Sequence, residues 1–357
     1  MASDPQPDLP ATMRALQVSR YGDPSVLQYV ETKTPQLTAP TDMIVKVHVA
    51  GVNPVEAKIR SGNVSAVIKS SPPCIIGRDF SGKVVSKGDK VDRYNIGDEV
   101  FGMLPNALGF GGGGSYAEYI RVPIDETALA KKPANISHKE VGGAGVAVNT
   151  AWRALLVQGK LKSLTSPKVI VIGASGGVGT YGVQIAKAFG AYVVGICSAR
   201  NAELVKSLGA DEILDYTISG NIARFASENK DTYDIVLDGV GGDDYWKLLA
   251  PTLKSAGVYS TAAGPVEHNG SQKVGYGQIA KIVATVGARK LFGSRKYEII
   301  GMLPPNDMTE IATLFEEGKI KTHIPAEQIF SLKDGIKAHE VIESHRSVGK
   351  VILLVDE

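Results

Sequence analysis

Apolar residues along the chain follow two regimes that change near Glu140. Before it, short runs with β-branched or alternating content are separated by Gly and Pro: Met13 to Val18, Leu27 to Thr32, Met43 to Val52, Ile75 to Asp92 and Glu99 to Met103. A period of two between turn residues predicts strands. The series closes with GGGGSYAEYIRV (Gly111 to Val122), a glycine-rich loop leading into one more strand. These runs predict a compact, mainly antiparallel, barrel-like unit. After Glu140, Val141 to Leu156 reads as a helix, and to about Gly318 strands alternate with helices. Val169 to Ile172, Tyr192 to Cys197, Glu212 to Leu214, Ile235 to Leu237, Gly257 to Ser260 and Ile299 to Gly301 supply six candidates for a parallel sheet. The tail, Ile329 to Val355, holds one helix and one apolar strand that can return to the first unit.

The run KVIVIGASGGVG (Lys168 to Gly179) joins the first of the six strands to a helix, Val178 to Phe189, whose apolar residues recur at helical spacing. Ala174, Gly176 and Gly179 occupy the three fixed positions of G-x-G-x-x-G, with alanine in the first. Gly176 lets the main chain approach a pyrophosphate and Gly179 lets helix and strand pack closely. The helix N-terminus then offers unpaired N–H groups to the phosphates. The second strand ends at Ser198, Ala199 and Arg200, where an NAD-specific fold carries Asp or Glu about 20 residues beyond the glycines. A carboxylate there repels a 2′-phosphate, whereas a hydroxyl and a guanidinium bind one, so NADPH is expected. Arg200 also reads as a solvated residue opening the helix NAELVKSL, and the missing acid is the stronger signal.

Composition narrows the alternatives. The chain has 357 residues, 43% hydrophobic and 21% charged, enough for about two domains with substantial cores. A formal net charge of +2 and the absence of a basic, aromatic-interleaved block give no reason to expect nucleic acid. No apolar run approaches the roughly 18 residues of a membrane span. Cys74 and Cys197, the only cysteines, provide neither a disulfide framework nor a Cys-rich zinc site. The segment MASDPQPDLPAT is acidic and Pro-rich, without the pattern of a transit or secretory signal, and a cytoplasmic location is the expectation.

With these pieces in order, the chain from about Met13 onward resembles the medium-chain dehydrogenase/reductase superfamily and, within it, the zinc-free quinone oxidoreductase branch. The resemblance rests on AGVNPVEAKIRSG (Ala50 to Gly62), IIGRDFSGKV (Ile75 to Val84), GDEVFG (Gly97 to Gly102), GSYAEY (Gly114 to Tyr119) and NTAWRAL (Asn149 to Leu155). GASGGVG (Gly173 to Gly179), LGADEILDY (Leu208 to Tyr216), LDGVGG (Leu237 to Gly242) and GKVIL (Gly349 to Leu353) continue it. It implies an α/β fold: a Rossmann doubly wound parallel sheet over residues 146–326, and a GroES-like, mainly antiparallel β-barrel domain over 1–145 and 327–357. It also implies a cofactor cleft between them. In that family Ser198 and Tyr216 stand where the adenosine 2′-phosphate is held, and Ser175, Gly177 and Val178 where the pyrophosphate is contacted. Thr150 stands near the nicotinamide amide, and Val240, Thr261 and Lys350 lie in segments bordering the cofactor. Homodimers are common in this branch.

The resemblance departs from zinc-dependent alcohol dehydrogenases at their metal ligands. Pro54-Val55-Glu56 and Gly77-Arg78-Asp79 stand where those enzymes carry ligands, no cysteine lies near Asn149, and a four-cysteine lobe is absent. Three protein ligands are needed for a catalytic zinc, so no metal is expected, and His48, in an alternating apolar strand, reads as a packed barrel residue. Hydride addition to an enone or quinone needs no Lewis acid, because the resulting anion is already delocalised onto oxygen. Positioning and one or two hydrogen-bond donors suffice. Asn53 and Lys58, in the segment the resemblance places at the cleft floor, are the candidate donors, with a helix cap and a solvated helix residue as their structural readings. Tyr116 either lies over the substrate or packs on the barrel. Two further readings share these features: an enoyl reductase acting on carrier-bound substrate, and an NADPH-binding redox sensor with little turnover.

Overall fold

A computed structural model describes residues 9–65, 70–105, 113–265, 275–301 and 308–356. The first part contributes β1 (Thr12–Val18), β2 (Leu27–Lys33), β3 (Asp42–Val52), β4 (Cys74–Ile75), β5 (Asp79–Lys87), β6 (Glu99–Met103), β7 (Tyr119–Pro123) and β8 (Ala128–Lys131). One helix, α1 (Pro54–Arg60), follows β3, with Pro54 at its first position and the Glu56 side chain accepting from Asn53 N. Beyond β8 come α2 (His138–Gly142) and α3 (Gly145–Trp152). The expected continuous helix from Val141 to Leu156 is thus divided. Gly143 ends α2, and the stretch after α3, Arg153–Gln158, is wound as a wider π-type helix.

The second part alternates: β9 (Lys168–Ile172), α4 (Gly177–Ala188), β10 (Tyr192–Cys197), α5 (Ala202–Ser207), β11 (Glu212–Asp215), α6 (Asn221–Glu228), β12 (Tyr233–Asp238), α7 (Asp244–Leu249), β13 (Leu253–Thr261), α8 (Tyr276–Phe292) and β14 (Lys296–Ile299). The six strands lie in the order β11-β10-β9-β12-β13-β14, and every neighbouring pair is parallel. This is the doubly wound Rossmann order, which reverses direction between β9 and β12. Both faces of β9 are buried: Val169 and Val171 join one core cluster, Ile170 and Ile172 another. Each such side chain contributes about 1.5–3 kcal/mol of hydrophobic stabilisation. The last strand lies about three residues before its expected place, because pairing with β13 runs from Val258↔Lys296 to Thr261↔Ile299 and carries Tyr297 into the core.

The chain then forms α9 (Thr309–Glu316), β15 (Ile329–Ser331), α10 (Gly335–Glu343) and β16 (Val351–Leu354). β16 pairs antiparallel with β3, from Val351↔Val52 to Leu354↔Val49, so the tail closes the GroES-like sheet β15-β16-β3-β5-β6-β8. β15, a strand absent from the sequence expectation, pairs with β16 in parallel. The expected run Ile75 to Asp92 is interrupted between β4 and β5, which belong to different sheets. Gly111 and Gly112 of the glycine-rich loop lie outside the described residues. The return of β16 beside β3 places Lys350 next to Asn53.

Candidate active site

A cleft of about 410 Å³ opens where the parallel sheet reverses direction. Its lining comes from the residues just past the strand ends: Gly173 after β9, Ser198 after β10, Tyr216 after β11, and Gly239 with Val240 after β12. This is the crevice that a doubly wound sheet leaves at its switch point. The turn between β9 and α4 is tight. Gly176 N donates to Gly173 O at 2.9 Å, and Thr180 N donates to Gly176 O at the same distance, the first bond of the helix. A Cβ on Gly179 would sit 2.1 Å from Gly173 O, so only glycine permits this approach of helix to turn. Gly177, Val178 and Gly179 line the cleft, and their N–H groups precede that first bond at the positive end of the α4 dipole. Backbone donors without side-chain obstruction fit a pyrophosphate.

At one end of the cleft a short helical turn, Ala199–Asn201, follows β10. Ser198 is buried at its start, while Arg200 is exposed and lines the cleft. Asn201 Nδ2 donates to Ser175 Oγ at 3.0 Å and reaches Ser198 Oγ at 3.5 Å. Tyr216, about half exposed, completes this end. Asp215 does not line the cleft; its Oδ1 accepts from Thr217 N (2.9 Å) and Thr217 Oγ1 (2.8 Å), which holds its carboxyl below the usual range.

The other end is built by the returning tail. Gly349 N donates to Ser175 O at 2.8 Å and Gly349 bridges Gly176, which fastens the tail to the glycine turn. Lys350 follows, 3% exposed, and its Nζ donates to Asn53 Oδ1 at 2.5 Å and lies 3.5 Å from Asp79 Oδ2. Asn53 Nδ2 donates to that same Asp79 oxygen at 3.1 Å, and Val146 N donates to Asp79 Oδ1 at 2.6 Å. Burial pushes the Asp79 carboxyl up, and the Lys350 ammonium and these donors oppose it. Beneath them, Glu56 is fully buried. Its Oε2 accepts from Asn53 N at 2.8 Å, and its Oε1 has no partner among the described residues. Burial, with Asp79 adding to it, pushes the Glu56 carboxyl up to about 8.

The cleft therefore gathers Asn53, Ser175, Gly176, Gly177, Val178, Ser198, Arg200, Tyr216, Val240 and Lys350. Three expected residues are not in its lining. Lys58 lies on the exposed side of α1, because Ala57 and Ile59 take the buried positions and turn it outward. Thr150 is buried in α3 with Oγ1 donating to Val146 O at 2.7 Å, and Thr261 is buried at the end of β13 with Oγ1 accepting from Gly264 N at 3.0 Å. Tyr116 is fully buried in the barrel core, its ring edge-on to His339 at 5.9 Å, which gives it the packing role. The His48 ring meets that of His138 at a centroid distance of 4.4 Å, tilted by 37°, and its Nδ1 lies 3.1 Å from Asp356 Oδ2. Sequence reasoning missed Asn201, Tyr245 and Arg346 in the lining and Asp79 and Glu56 beneath it. The acid in the quoted block IIGRDFSGKV was the one available signal for Asp79.

Arg78, at a former ligand position, donates from Nε to Leu104 O at 3.0 Å and is buried. Among the described residues no group of three or more His, Cys, Asp or Glu is placed to hold a metal ion, and no helix is long and apolar enough to cross a membrane.

Comparison with known sequences and structures gives a consistent neighbourhood. Residues 39–134 match the family described as alcohol dehydrogenase GroES-like domain, and residues 208–353 the family described as zinc-binding dehydrogenase. NAD(P)H oxidoreductase RTN4IP1, mitochondrial, of Danio rerio is 30% identical over 366 residues, covering 97% of this chain and 92% of the relative. The quinone-oxidoreductase homolog, chloroplastic, of Spinacia oleracea is 32% identical over 348 residues, covering 96% and 98%. The solved structure of the quinone oxidoreductase from Coxiella burnetii superposes with a TM-score of 0.76 at 27% identity, covering 97% of this chain and all of that one.

Proposed function

The chain belongs to the medium-chain dehydrogenase/reductase superfamily of oxidoreductases, and from that premise we propose that it is an NADPH-dependent, zinc-independent reductase of quinones or α,β-unsaturated carbonyls. The observation that carries the reading is a single cleft with three stations. Ser198 and Arg200 stand at one end, the N–H groups of the glycine turn in the middle, and Asn53 with Lys350 at the other end.

A nicotinamide cofactor supplies hydride when bound here. Gly177 and Val178 would bind its pyrophosphate through main-chain N–H groups. Ser198 and Arg200 favour a 2′-phosphate, since a hydroxyl donor and a guanidinium stand where a carboxylate would select the free ribose. Beyond the turn, Asn53 Nδ2 keeps one N–H after donating to Asp79, and Lys350 adds a cation. Donors fixed before the reaction stabilise charge developing on an acceptor oxygen without reorganising. The names of the relatives, an NAD(P)H oxidoreductase and a quinone oxidoreductase homolog, support the reaction class.

The test is loss of reduced-nicotinamide absorbance against 9,10-phenanthrenequinone, 1,4-benzoquinone and a series of short enones, with NADH and EDTA arms. Chelator-resistant turnover that prefers NADPH is expected. Activity confined to pantetheine thioesters would instead make the protein a carrier-dependent enoyl reductase. NADPH binding without any oxidation would make it a sensor.

A further inference from the structure

Asp238 closes β12 inside the LDGVGG block, fully buried and outside the lining of the cleft. A buried carboxylate is costly unless donors meet its oxygens. Its Oδ1 accepts from Val240 N at 2.9 Å and from Gly241 N at 2.8 Å, and its Oδ2 accepts from Tyr259 Oη at 3.1 Å. All three donors are neutral. The loop they hold, 239–242, spends its other two N–H groups inward as well: Gly239 N donates to Ile172 O at 3.1 Å and Gly242 N to Gly264 O at 2.9 Å. Gly241 and Gly242, with φ of 88° and 87°, permit the turn that folds this loop back on Asp238. Gly239 and Val240 line the cleft, and a Cβ on Gly173 would meet Val240 Cγ2 at 3.0 Å, so the valine lies directly on the glycine turn. The phenol is aimed as firmly as the loop. The Tyr259 ring is buried, stacked on Tyr297 at 5.7 Å and met edge-on by Trp246 at 5.2 Å. Burial, with the Asp238 carboxylate adding to it, pushes the Tyr259 hydroxyl far above the usual phenol range, which keeps it a donor.

Resting on the function proposed above, we propose that Asp238 and Tyr259 are positioning residues for the nicotinamide cofactor: the phenol aims the carboxylate, and the carboxylate holds Val240 on the glycine turn as a wall of the cleft. Neither residue lines the cleft, so both act through Val240. With the carboxylate gone, the Val240 and Gly241 N–H groups lose a buried acceptor, and the loop must shift to satisfy them. The wall is then no longer set before the dinucleotide arrives, and the cost of ordering it falls on binding. The chemistry of hydride transfer is untouched, because the same residues meet the cofactor once it is bound.

The experiment uses the full chain with Asp238→Ala, Asp238→Asn and Tyr259→Phe. Asp238→Ala is expected to raise the NADPH Kd, from nicotinamide fluorescence, by at least about tenfold, the worth of the two loop hydrogen bonds it removes. Asp238→Asn keeps an oxygen for both N–H groups and an amide N–H for the phenol oxygen, so its Kd should return to within about threefold of wild type. Tyr259→Phe frees one carboxylate oxygen and should weaken binding by about threefold, and it carries the test if Asp238→Ala does not fold. In turnover with a quinone, the KM for NADPH should follow Kd while kcat at saturating NADPH stays within about twofold; a merely structural defect would lower kcat through the active fraction and leave KM alone. Amide hydrogen exchange of the peptide spanning Val240 and Gly241, without cofactor, should quicken in Asp238→Ala and not in Asp238→Asn. Wild-type NADPH affinity in Asp238→Ala overturns the proposal, or in Tyr259→Phe where the Ala variant does not fold. So does an Asn variant as weak as the Ala variant, which would assign the effect to charge instead of to the held loop. If wild type binds NADPH but reduces none of the acceptors, the functional reading fails, and the Kd series still decides on Asp238. Wild type that binds neither NADPH nor NADH overturns both.

Discussion

Asn201 Nδ2 donates to Ser175 Oγ at 3.0 Å and so joins the turn after β10 to the glycine turn after β9. Because Ser175 Oγ accepts this bond, its own O–H proton is free to donate into the cleft. The same amide reaches Ser198 Oγ at 3.5 Å, with the same consequence for that hydroxyl. Asn201→Ala is expected to weaken NADPH binding by roughly threefold to tenfold, the worth of one ordinary hydrogen bond. Fluorescence titration checks this, and an unchanged Kd would show that the serines orient themselves.

Ser198→Asp restores the carboxylate that NAD-binding folds carry at this station. We expect NADPH affinity to fall by at least about 100-fold while NADH affinity stays within about threefold, because the new charge repels only the 2′-phosphate. Parallel titrations with the two cofactors measure the ratio. Equal losses for both would place Ser198 away from the phosphate.

Lys58→Met should leave kcat within about twofold of wild type, since its side chain is absent from the lining of the cleft. Steady-state assay with the best acceptor checks it. A tenfold loss would return Lys58 to the mechanism.

Glu56 makes stability depend on pH. Its carboxyl is raised from 4.5 to about 8 in the fold, so the native state holds a proton that the unfolded chain gives up. The contribution is fully present below the unfolded value and is lost as pH rises through about 8, with a slope of up to about 1.4 kcal/mol per pH unit between the two. Glu56→Gln stays neutral and keeps an acceptor for Asn53 N. Its urea midpoint should therefore gain on wild type as pH rises from about 5 to about 8. Parallel profiles would mean that Glu56 titrates near its ordinary value.

Local features of the fold were legible where local chemistry decides them. The glycine turn was readable because only glycine tolerates the contact of Gly179 with Gly173 O, and five of the six parallel strands were readable from their apolar runs. β14 was misplaced because Ile299 and Ile300 carry the apolar signal while pairing with β13 starts at Lys296. The break between α2 and α3 was missed because Val141 to Leu156 keeps a helical apolar pattern across Gly143. The far end of the cleft was least legible. Asn53, Asp79 and Lys350 meet only because β16 returns beside β3, a contact across 297 residues that no local pattern encodes. Lys58 stands in the same segment as Asn53, and the side of a two-turn helix it occupies depends on what α1 packs against.

The most direct test of the account mixes the protein preloaded with NADPH, and separately with NADH, against 9,10-phenanthrenequinone and follows reduced-nicotinamide absorbance in a single turnover. Rapid oxidation of NADPH, unaffected by EDTA, is expected, with at least about tenfold slower oxidation of NADH at equal concentration, the kinetic equivalent of about 1.4 kcal/mol. Bound NADPH that persists with the quinone and every enone tried, or equal rates from the two cofactors, would contradict it.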